Sequence, residues 1–219
     1  MLTNIIEQLL NGLRTGRIYG VIALGYTMVY GIAKMINFAH GDIIMVGAYA
    51  LYVAIINMQL PAIPAVLLTC VTCAVLGVVI EKVAYKPLRK APPLAVLITA
   101  IGVSYFLEAS TQKVMGTGVK TFPQVLANQK IMIGGVMITT QQIAIFAITI
   151  ALMLLLQFIV RKTKVGRAMR AVSVDADAAR LMGVNVDMTI SYTFAIGSAL
   201  AGAAGVLVGL YYNSINPLM

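Results

Sequence analysis

Six long apolar segments, separated by short polar stretches, constrain this chain more than any other feature of its sequence. They cover residues 16–33, 43–57, 62–80, 94–110, 142–160 and 189–212. About 20 apolar residues in a helix are enough to cross the hydrocarbon core of a bilayer. The second segment is short for a full span, so we expect it to begin earlier or to be partly re-entrant. The pattern predicts an all-α fold: a polytopic transmembrane helical bundle of about six spans, built as one permease-like domain over residues 1–219.

The composition excludes the main classes of soluble protein. Of the 219 residues, 60% are hydrophobic and 11% are charged, whereas a soluble domain has about 25% charged residues. A soluble enzyme, a disordered chain and a disulfide-rich secreted module are therefore excluded. No nucleophile–base pair, metal-ligand cluster or G-x-x-x-x-G-K-[ST] motif is visible. We expect no enzymatic activity, metal or cofactor in this chain, and we interpret Cys70 and Cys73 as free thiols inside a span.

The net charge of +9, from 16 basic and 7 acidic residues, has two interpretations. In a soluble protein it would indicate nucleic-acid binding. Here ten basic residues lie in two segments between apolar runs, as the positive-inside rule describes for cytoplasmic loops. We therefore expect no nucleic-acid partner, cytoplasmic loops at 81–93 and 161–187, an external loop at 111–140 and an external N-terminus. The ten are Lys82, Lys86, Arg89, Lys90, Arg161, Lys162, Lys164, Arg167, Arg170 and Arg180.

Small residues recur four positions apart in the first and last apolar segments. In lipid, small residues on one helix face allow two helices to approach closely. The series predict a tightly packed bundle and do not by themselves indicate transport. They are Gly12, Gly16 and Gly20, then Ser198 and Gly202, then Gly205 and Gly209.

A polar motif interrupts the apolar pattern between the first two segments. It brings Asn37, His40 and Asp42 together within six residues, and His40 is the only histidine of the chain. Two interpretations stay open. Asn37 or Asp42 could cap the following helix and join a local cluster of hydrogen bonds, giving the motif a structural role. Alternatively, since polar groups at membrane depth usually face a cavity or a partner, the three residues could form a transport pathway or gate.

The second basic segment holds two short helical patterns. One covers residues 166–172, and the other runs from Asp175 to Gly183. Asp175 and Asp177 suit the positive end of a helix dipole, and Gly183 suits a helix stop. A solvated connector does not need two helices that mix apolar and charged residues. We therefore interpret the segment as a surface that docks in a groove of a cytoplasmic partner.

These residues carry a resemblance to a known family. Asp177-Ala178-Ala179-x-x-x-Gly183 resembles the E-A-A-x-x-x-G coupling loop of ABC importer permeases, with Asp in place of Glu. The segments 20–26, 36–42 and 164–171 narrow the resemblance to the ABC permeases for branched-chain amino acids (leucine, isoleucine and valine). The similarity is to the smaller of that family's two permease types, and it extends over essentially the whole chain.

The resemblance implies an assembly and a mechanism. A second, homologous permease would pair with this one in a bacterial inner membrane, and a periplasmic binding protein would deliver the amino acid. Two cytoplasmic ATPase subunits would bind ATP and Mg and dock on the coupling loop, with Arg167 and Arg170 steering the docking. The resemblance assigns the ATPase-coupling loop to Gly166, Arg167, Arg170, Asp177, Ala178, Ala179 and Gly183.

Two departures from the family pattern accompany the resemblance. Family members generally continue with further spans beyond the equivalent of Met219, so we expect a chain truncated at its C-terminus. Asp177 keeps the charge of the usual Glu, so we expect little effect of that exchange.

Three other functions stay open. A urea or short-chain amide permease of the same family would look very similar. An ion-coupled secondary carrier would transport without ATPases, but it normally needs a pair of buried acids that the sequence lacks. An inactive membrane fragment would fail to co-purify with an ATPase.

Overall fold

The structure of the chain is a computed structural model that describes residues 2–89, 91–123, 130–133 and 136–219. Within these residues the chain is predominantly helical, and a bundle of long helices carries short helices at one end and short strands at the other. The α-helices are α1 (Leu2–Ala33), α2 (His40–Ile56), α3 (Ala62–Ile80), α4 (Pro93–Met115), α5 (Thr140–Lys162), α6 (Lys164–Val174), α7 (Ala176–Leu181) and α8 (Val186–Tyr212).

Each predicted apolar segment forms a helix, which confirms the predicted polytopic fold. Among the described residues, four helical stretches are long and apolar enough to cross a membrane, and two more are apolar but shorter. The long stretches are Ala62–Leu88, Pro93–Met115, Thr140–Lys162 and Val186–Tyr212, and the shorter ones are Ile18–Ala33 and His40–Ile56.

Helix α8 is the centre of the bundle. Its apolar window is 78% buried, against 17–28% for the other three long spans. It contacts α1, α2 and α3, and small residues allow this contact. A Cβ at Gly205 would lie 2.2 Å from the carbonyl oxygen of Ile44, and a Cβ at Gly77 would lie 2.0 Å from Oγ of Ser198. The predicted close packing around the last segment is therefore confirmed.

The glycine series of α1 behaves differently. A Cβ at Gly12, Gly16 or Gly20 would meet nothing within 4 Å in this chain. The tight packing predicted from small-residue spacing is therefore not formed at these three residues within this chain. Their helix face is open because α1 contacts α8 through residues further along, such as Gly25 and Val29.

Helix α2 begins inside the bundle instead of at its end. His40 is the first residue of α2. A Cβ added at Gly25 of α1 would lie 3.0 Å from Nε2 of His40 and 3.2 Å from the carbonyl oxygen of Gly197 in α8, so the three residues lie at the same level of the bundle. Because a helix rises 1.5 Å per residue, Gly197 lies about 16 Å from Val186 along a helix of about 40 Å. Residues 34–39 therefore re-enter the bundle before α2 starts, and this agrees with the expected short second span.

The two ends of the bundle differ in composition. We call the end that holds α6, α7 and Arg89 the basic end. At the opposite end, β1 (Lys120–Thr121) pairs antiparallel with β4 (Ser214–Ile215), and β2 (Lys130–Ile133) pairs with β3 (Val136–Thr139) in a hairpin. The sequence did not predict these short strands. The 111–140 segment is also partly helical, since α4 continues to Met115. Residues 124–129 and 134–135 of this segment lie outside the described residues.

The segment 81–93 was expected to be a loop, but most of it is helical. α3 continues through a π-helical turn, Glu81–Tyr85, and a 3-10 turn, Lys86–Leu88. Pro92 and Pro93 then begin α4, where a missing N–H costs little. Lys82 and Lys86 thus lie on a helical extension of a span and Arg89 follows it directly, while Lys90 lies outside the described residues.

Candidate functional site

The 161–187 segment folds into the two predicted helices, α6 and α7. Thr163 caps α6 by accepting from the Gly166 N–H at 3.0 Å. Asp175 caps α7 by accepting from the N–H groups of Asp177 and Ala178, both at 2.9 Å. Gly183 ends the segment with φ +83°, a conformation that suits glycine. The predicted helix start at Asp175 and helix stop at Gly183 are confirmed.

One face of α7 is held by the bundle and the other is open. Ala179 is buried, whereas Asp177 and Ala178 are exposed. Asp177 pairs with Arg180 at 3.3 Å, and both side chains are largely exposed. An exposed pair of this kind contributes little to stability. The motif Asp177-Ala178-Ala179 therefore presents its first two residues outward and uses the third to attach the helix.

Three apolar side chains beside this motif are almost completely exposed. Val174 is 88%, Leu181 is 90% and Met182 is 84% exposed. Large apolar residues with this exposure at a helix end indicate a contact with another molecule. Sequence reasoning did not select them, although three large apolar residues in an otherwise solvated segment are a signal that could have found them.

Two residues expected to serve the coupling loop also hold the fold. Gly166 permits the tight turn between α5 and α6, because a Cβ there would lie 2.3 Å from the carbonyl oxygens of Ile159 and Val160. Arg170 donates to the Val160 carbonyl at 2.5 Å and so caps the end of α5. Arg167 is exposed at the same end.

Sequence reasoning missed an ionic network that links the two basic segments. The carboxylate of Glu81 is completely buried and accepts from Arg89 and from the Ser191 hydroxyl, the latter at 2.7 Å. Arg89 also pairs with Asp187, the second residue of α8, and Lys86 lies 3.4 Å from the same carboxylate. The end of α3 and the start of α8 are thus joined to each other at the basic end of the bundle, which also holds α7.

A large cavity lies beside this network. Its volume is about 1100 Å³, and α1, α4, α7 and α8 all contribute to its wall. Arg89, Asp177, Arg180 and Asp187 are among the residues that line it. Helix α7 therefore borders open space on this side and is attached to the bundle mainly through α6 and α8.

The polar motif between α1 and α2 is buried in the bundle. The Tyr85 hydroxyl donates to Oδ1 of Asn37 at 2.8 Å, and the Ser104 hydroxyl donates to Asp42. His40 packs edge-to-face against Tyr26, with ring centroids 6.0 Å apart. The N-cap of α2 is Ala39, and no side chain caps the helix. The capping part of the structural interpretation was therefore wrong. Its hydrogen-bonding part agrees with the structure, because Asn37 and Asp42 each bond to another helical segment.

Two polar atoms of this motif have no partner. Asn37 and His40 are 2% and 3% exposed, and neither Nδ2 of Asn37 nor Nε2 of His40 forms a hydrogen bond. Both residues line an open groove of about 520 Å³, whose other wall is formed by α1 residues that include Tyr26. A buried polar group without a partner is costly unless a ligand, water or neighbouring molecule supplies one.

Comparison with known proteins decides the family. The sequence model of the family "Branched-chain amino acid transport system / permease component" matches residues 8–219 of this chain. The chain belongs to this family of permeases. The resemblance predicted from the coupling and α2 motifs is thereby confirmed, including its assignment to the smaller permease type.

Individual relatives of the permease agree with the family match. The high-affinity branched-chain amino acid transport system permease protein BraD of Pseudomonas aeruginosa is 40% identical over 97% of this chain and 73% of its own length. The corresponding LivH proteins of Escherichia coli K12 and Salmonella typhimurium are 39% and 38% identical over the same shares. No solved structure matches the permease.

Proposed function

We propose that this permease is the membrane-spanning subunit of an ATP-driven importer for branched-chain amino acids. The observation that carries the proposal is the α6–α7 segment. It presents a capped helix with Ala178, Leu181 and Met182 exposed, at an end of the bundle rich in basic residues. Such a helix fits a groove on a cytoplasmic ATPase, and the ATP and Mg are held by two such subunits.

The orientation follows from the distribution of charge. Both basic segments lie at one end of the bundle, joined through Arg89 and Asp187. The positive-inside rule assigns that end to the cytoplasm of a bacterial inner membrane. The N-terminus and the strand-bearing end then face outward, where a periplasmic binding protein delivers the solute.

A second homologous permease completes the pathway. The open glycine face of α1 and the sparsely buried spans α4 and α5 leave much apolar surface uncovered by this chain. Glycines spaced four apart allow a neighbouring span to approach closely. We assign the α1 face to the second permease and the remaining apolar surface to lipid.

In this assembly the α7 helix transmits closure of the ATPases to the spans. A displacement of α7 reaches α8 directly along the chain, and it reaches α3 through Asp187, Arg89 and Glu81. Because Arg89 pairs with the buried Glu81 of α3 and with the half-exposed Asp187 of α8, we expect the α3 and α8 ends to respond as a unit.

The coupling role is tested by replacing Ala178 and Gly183 with arginine in the assembled transporter. We expect normal membrane insertion but loss of ATPase co-purification and of leucine uptake into proteoliposomes. Undiminished uptake would rule out the coupling assignment. Uptake of urea or a short-chain amide in place of leucine by the wild-type complex would instead overturn the proposed solute, and uptake without ATPases would identify an ion-coupled carrier.

A further inference from the structure

We infer that Tyr85 is a positioning residue for transport, because its hydrogen bond to Asn37 transmits closure of the ATPases to residues 34–39. The inference rests on the proposed function, and it adds the element that moves inside the bundle and the side chain that moves it. The central observation is one buried hydrogen bond, 2.8 Å long, between the end of a π-helical turn and a non-helical segment that borders two open spaces.

The re-entrant segment, residues 34–39, is a break between α1 and α2. None of its residues is helical. Lys34, where it begins, has φ +55°, a left-handed conformation that is uncommon for a residue with a side chain. Its backbone hydrogen bonds join it to the adjoining turns of α1 and α2. Within the part of the chain that the structure describes, its one hydrogen bond to any other element is the bond from Tyr85 to Asn37.

Open space borders the re-entrant segment in two places. Lys34, Met35 and Ile36 line the cavity of about 1100 Å³ at the basic end, and Asn37 and Phe38 line the groove of about 520 Å³. Closely packed helices resist displacement because their interior leaves few voids, whereas a non-helical stretch beside two openings shifts without entering a neighbour. The segment therefore has room to change its path.

The π-helical turn Glu81–Tyr85 joins this segment to the ionic network of the basic end. Glu81 begins the turn, and its completely buried carboxylate pairs with Arg89. Tyr85 ends the turn, is also completely buried and packs on Phe194 of α8, with ring centroids 5.4 Å apart. π-helical turns are rare and occur frequently at functional sites. Because both residues belong to one continuous helical turn, a displacement of the network at Glu81 also moves Tyr85.

The bond from Tyr85 to Asn37 is suited to passing this displacement on. Asn37 is 2% exposed and Tyr85 is fully buried, so water does not compete for the hydroxyl or the amide oxygen, and the bond is stronger than it would be in water. Nδ2 of Asn37 has no partner, so Tyr85 supplies the only hydrogen bond of this amide. The contacts thus run from Asp187 through Arg89 and Glu81 to the re-entrant segment.

A row of contacts carries coupling only if removing one of them separates the two processes that it links. The first experiment therefore measures leucine uptake and ATP hydrolysis in the same proteoliposomes with the complete transporter. Tyr85→Phe removes one hydroxyl and keeps the ring, and we expect uptake per ATP hydrolysed to fall at least fivefold.

The matched control for this exchange is Tyr49→Phe. The Tyr49 hydroxyl is also buried but has no hydrogen-bond partner, so its removal should leave uptake per ATP hydrolysed unchanged. An unchanged ratio in Tyr85→Phe, or an equal fall in both variants, overturns the inference.

A double variant separates transmission from stability. Tyr85→Phe alone leaves Oδ1 of Asn37 buried without a donor, which lowers stability. Adding Asn37→Leu replaces both partners by apolar groups, so the thermal unfolding midpoint should return toward that of the wild type. Uptake per ATP hydrolysed should stay low, since the bond is still absent. A ratio that recovers together with the midpoint overturns the inference, because the bond is then only structural.

A second experiment follows the re-entrant segment itself by hydrogen exchange. The assembled complex is compared without nucleotide and after trapping with ATP and vanadate, which holds the ATPases closed. We expect the exchange of residues 35–39 to differ between these two states in the wild type and in Tyr49→Phe, and the difference to be largely lost in Tyr85→Phe. Equal exchange in the two wild-type states overturns the inference, because the segment then does not respond to the ATPases.

The outcomes separate this inference from the proposed function. ATP-driven leucine uptake by the wild type, together with an unchanged ratio in Tyr85→Phe, overturns the positioning role and leaves the function standing. Absence of ATP-driven leucine uptake by the wild-type complex overturns the function and the inference together.

Discussion

Arg89 and Glu81 form an ion pair in which the Glu81 carboxylate is completely buried at the end of α3. Arg89 extends from the start of the connection to α4 and also pairs with Asp187 at the start of α8. One guanidinium thus joins the two basic segments of the chain.

Removing Arg89 should destabilise the permease strongly. Arg89→Met leaves a buried carboxylate without its cation, and breaking a buried pair in this way typically costs about 3–5 kcal/mol. We expect a clear drop in the thermal unfolding midpoint of the purified chain. Lys82→Met removes an exposed charge of the same segment and should have no effect. The double variant Arg89→Met/Glu81→Gln should recover part of the loss, and no recovery would mean that the pair is not the cause.

Leu181 should contribute to ATPase docking and not to folding. Its side chain is 90% exposed, so Leu181→Glu removes no contact within the chain. We expect co-purification with the ATPase to fall at least fivefold, because the loss of one apolar contact at an interface typically costs about 1 kcal/mol or more. The thermal unfolding midpoint of the variant should stay unchanged. Val119→Glu is the control, since Val119 is 70% exposed near the strands. Equal co-purification of both variants would exclude Leu181 from the interface.

Gly205 should tolerate no side chain. In Gly205→Ala the added Cβ would lie 2.2 Å from the Ile44 carbonyl oxygen and 2.9 Å from the Ala48 nitrogen. Because both are backbone atoms of α2, the helices must separate, at an expected cost of about 1–3 kcal/mol. Gly20→Ala meets nothing within 4 Å and should leave the isolated chain as stable or slightly more stable. Thermal unfolding in detergent measures both, and the same midpoint for the two variants would contradict the packing argument.

Asp175 should control whether α7 forms. Its carboxylate accepts two backbone N–H bonds, and loss of such a cap typically costs about 1 kcal/mol, which is enough to unravel a helix of six residues. We expect Asp175→Ala to speed hydrogen exchange of residues 176–181 and to lower leucine uptake. Asp177→Glu keeps the charge and restores the usual family residue, so it should change neither. Unchanged exchange in Asp175→Ala would show that the cap is dispensable.

Much of the fold could be predicted from the sequence, because hydrophobic length and helix-end chemistry are local properties. The six apolar helices, the cap at Asp175 and the stop at Gly183 were expected and are present. The series Gly12, Gly16 and Gly20 has no neighbour within this chain, because a spacing of four allows close contact but does not provide a partner. The side-chain cap on α2 failed for a similar reason, since Asn37 and Asp42 found partners on other helices.

The same difference between local and long-range information applies to the candidate sites. The motif Asp177-Ala178-Ala179, for which coupling stays a prediction, is contiguous, so its residue types were enough to single it out. The network of Glu81, Arg89 and Asp187 spans more than 100 residues of sequence, and no local pattern connects its members.

The sequence by itself determined that the chain is a helical membrane protein of the branched-chain amino acid permease family, because hydropathy and short motifs depend on neighbouring residues. Only the tertiary structure decided that α8 is the centre of the bundle and that α2 begins midway across it. It also decided that one buried polar atom each of Asn37 and His40 has no hydrogen-bond partner. Burial and orphaned hydrogen-bonding groups arise from the packing of distant segments, and that information exists only once the helices are assembled.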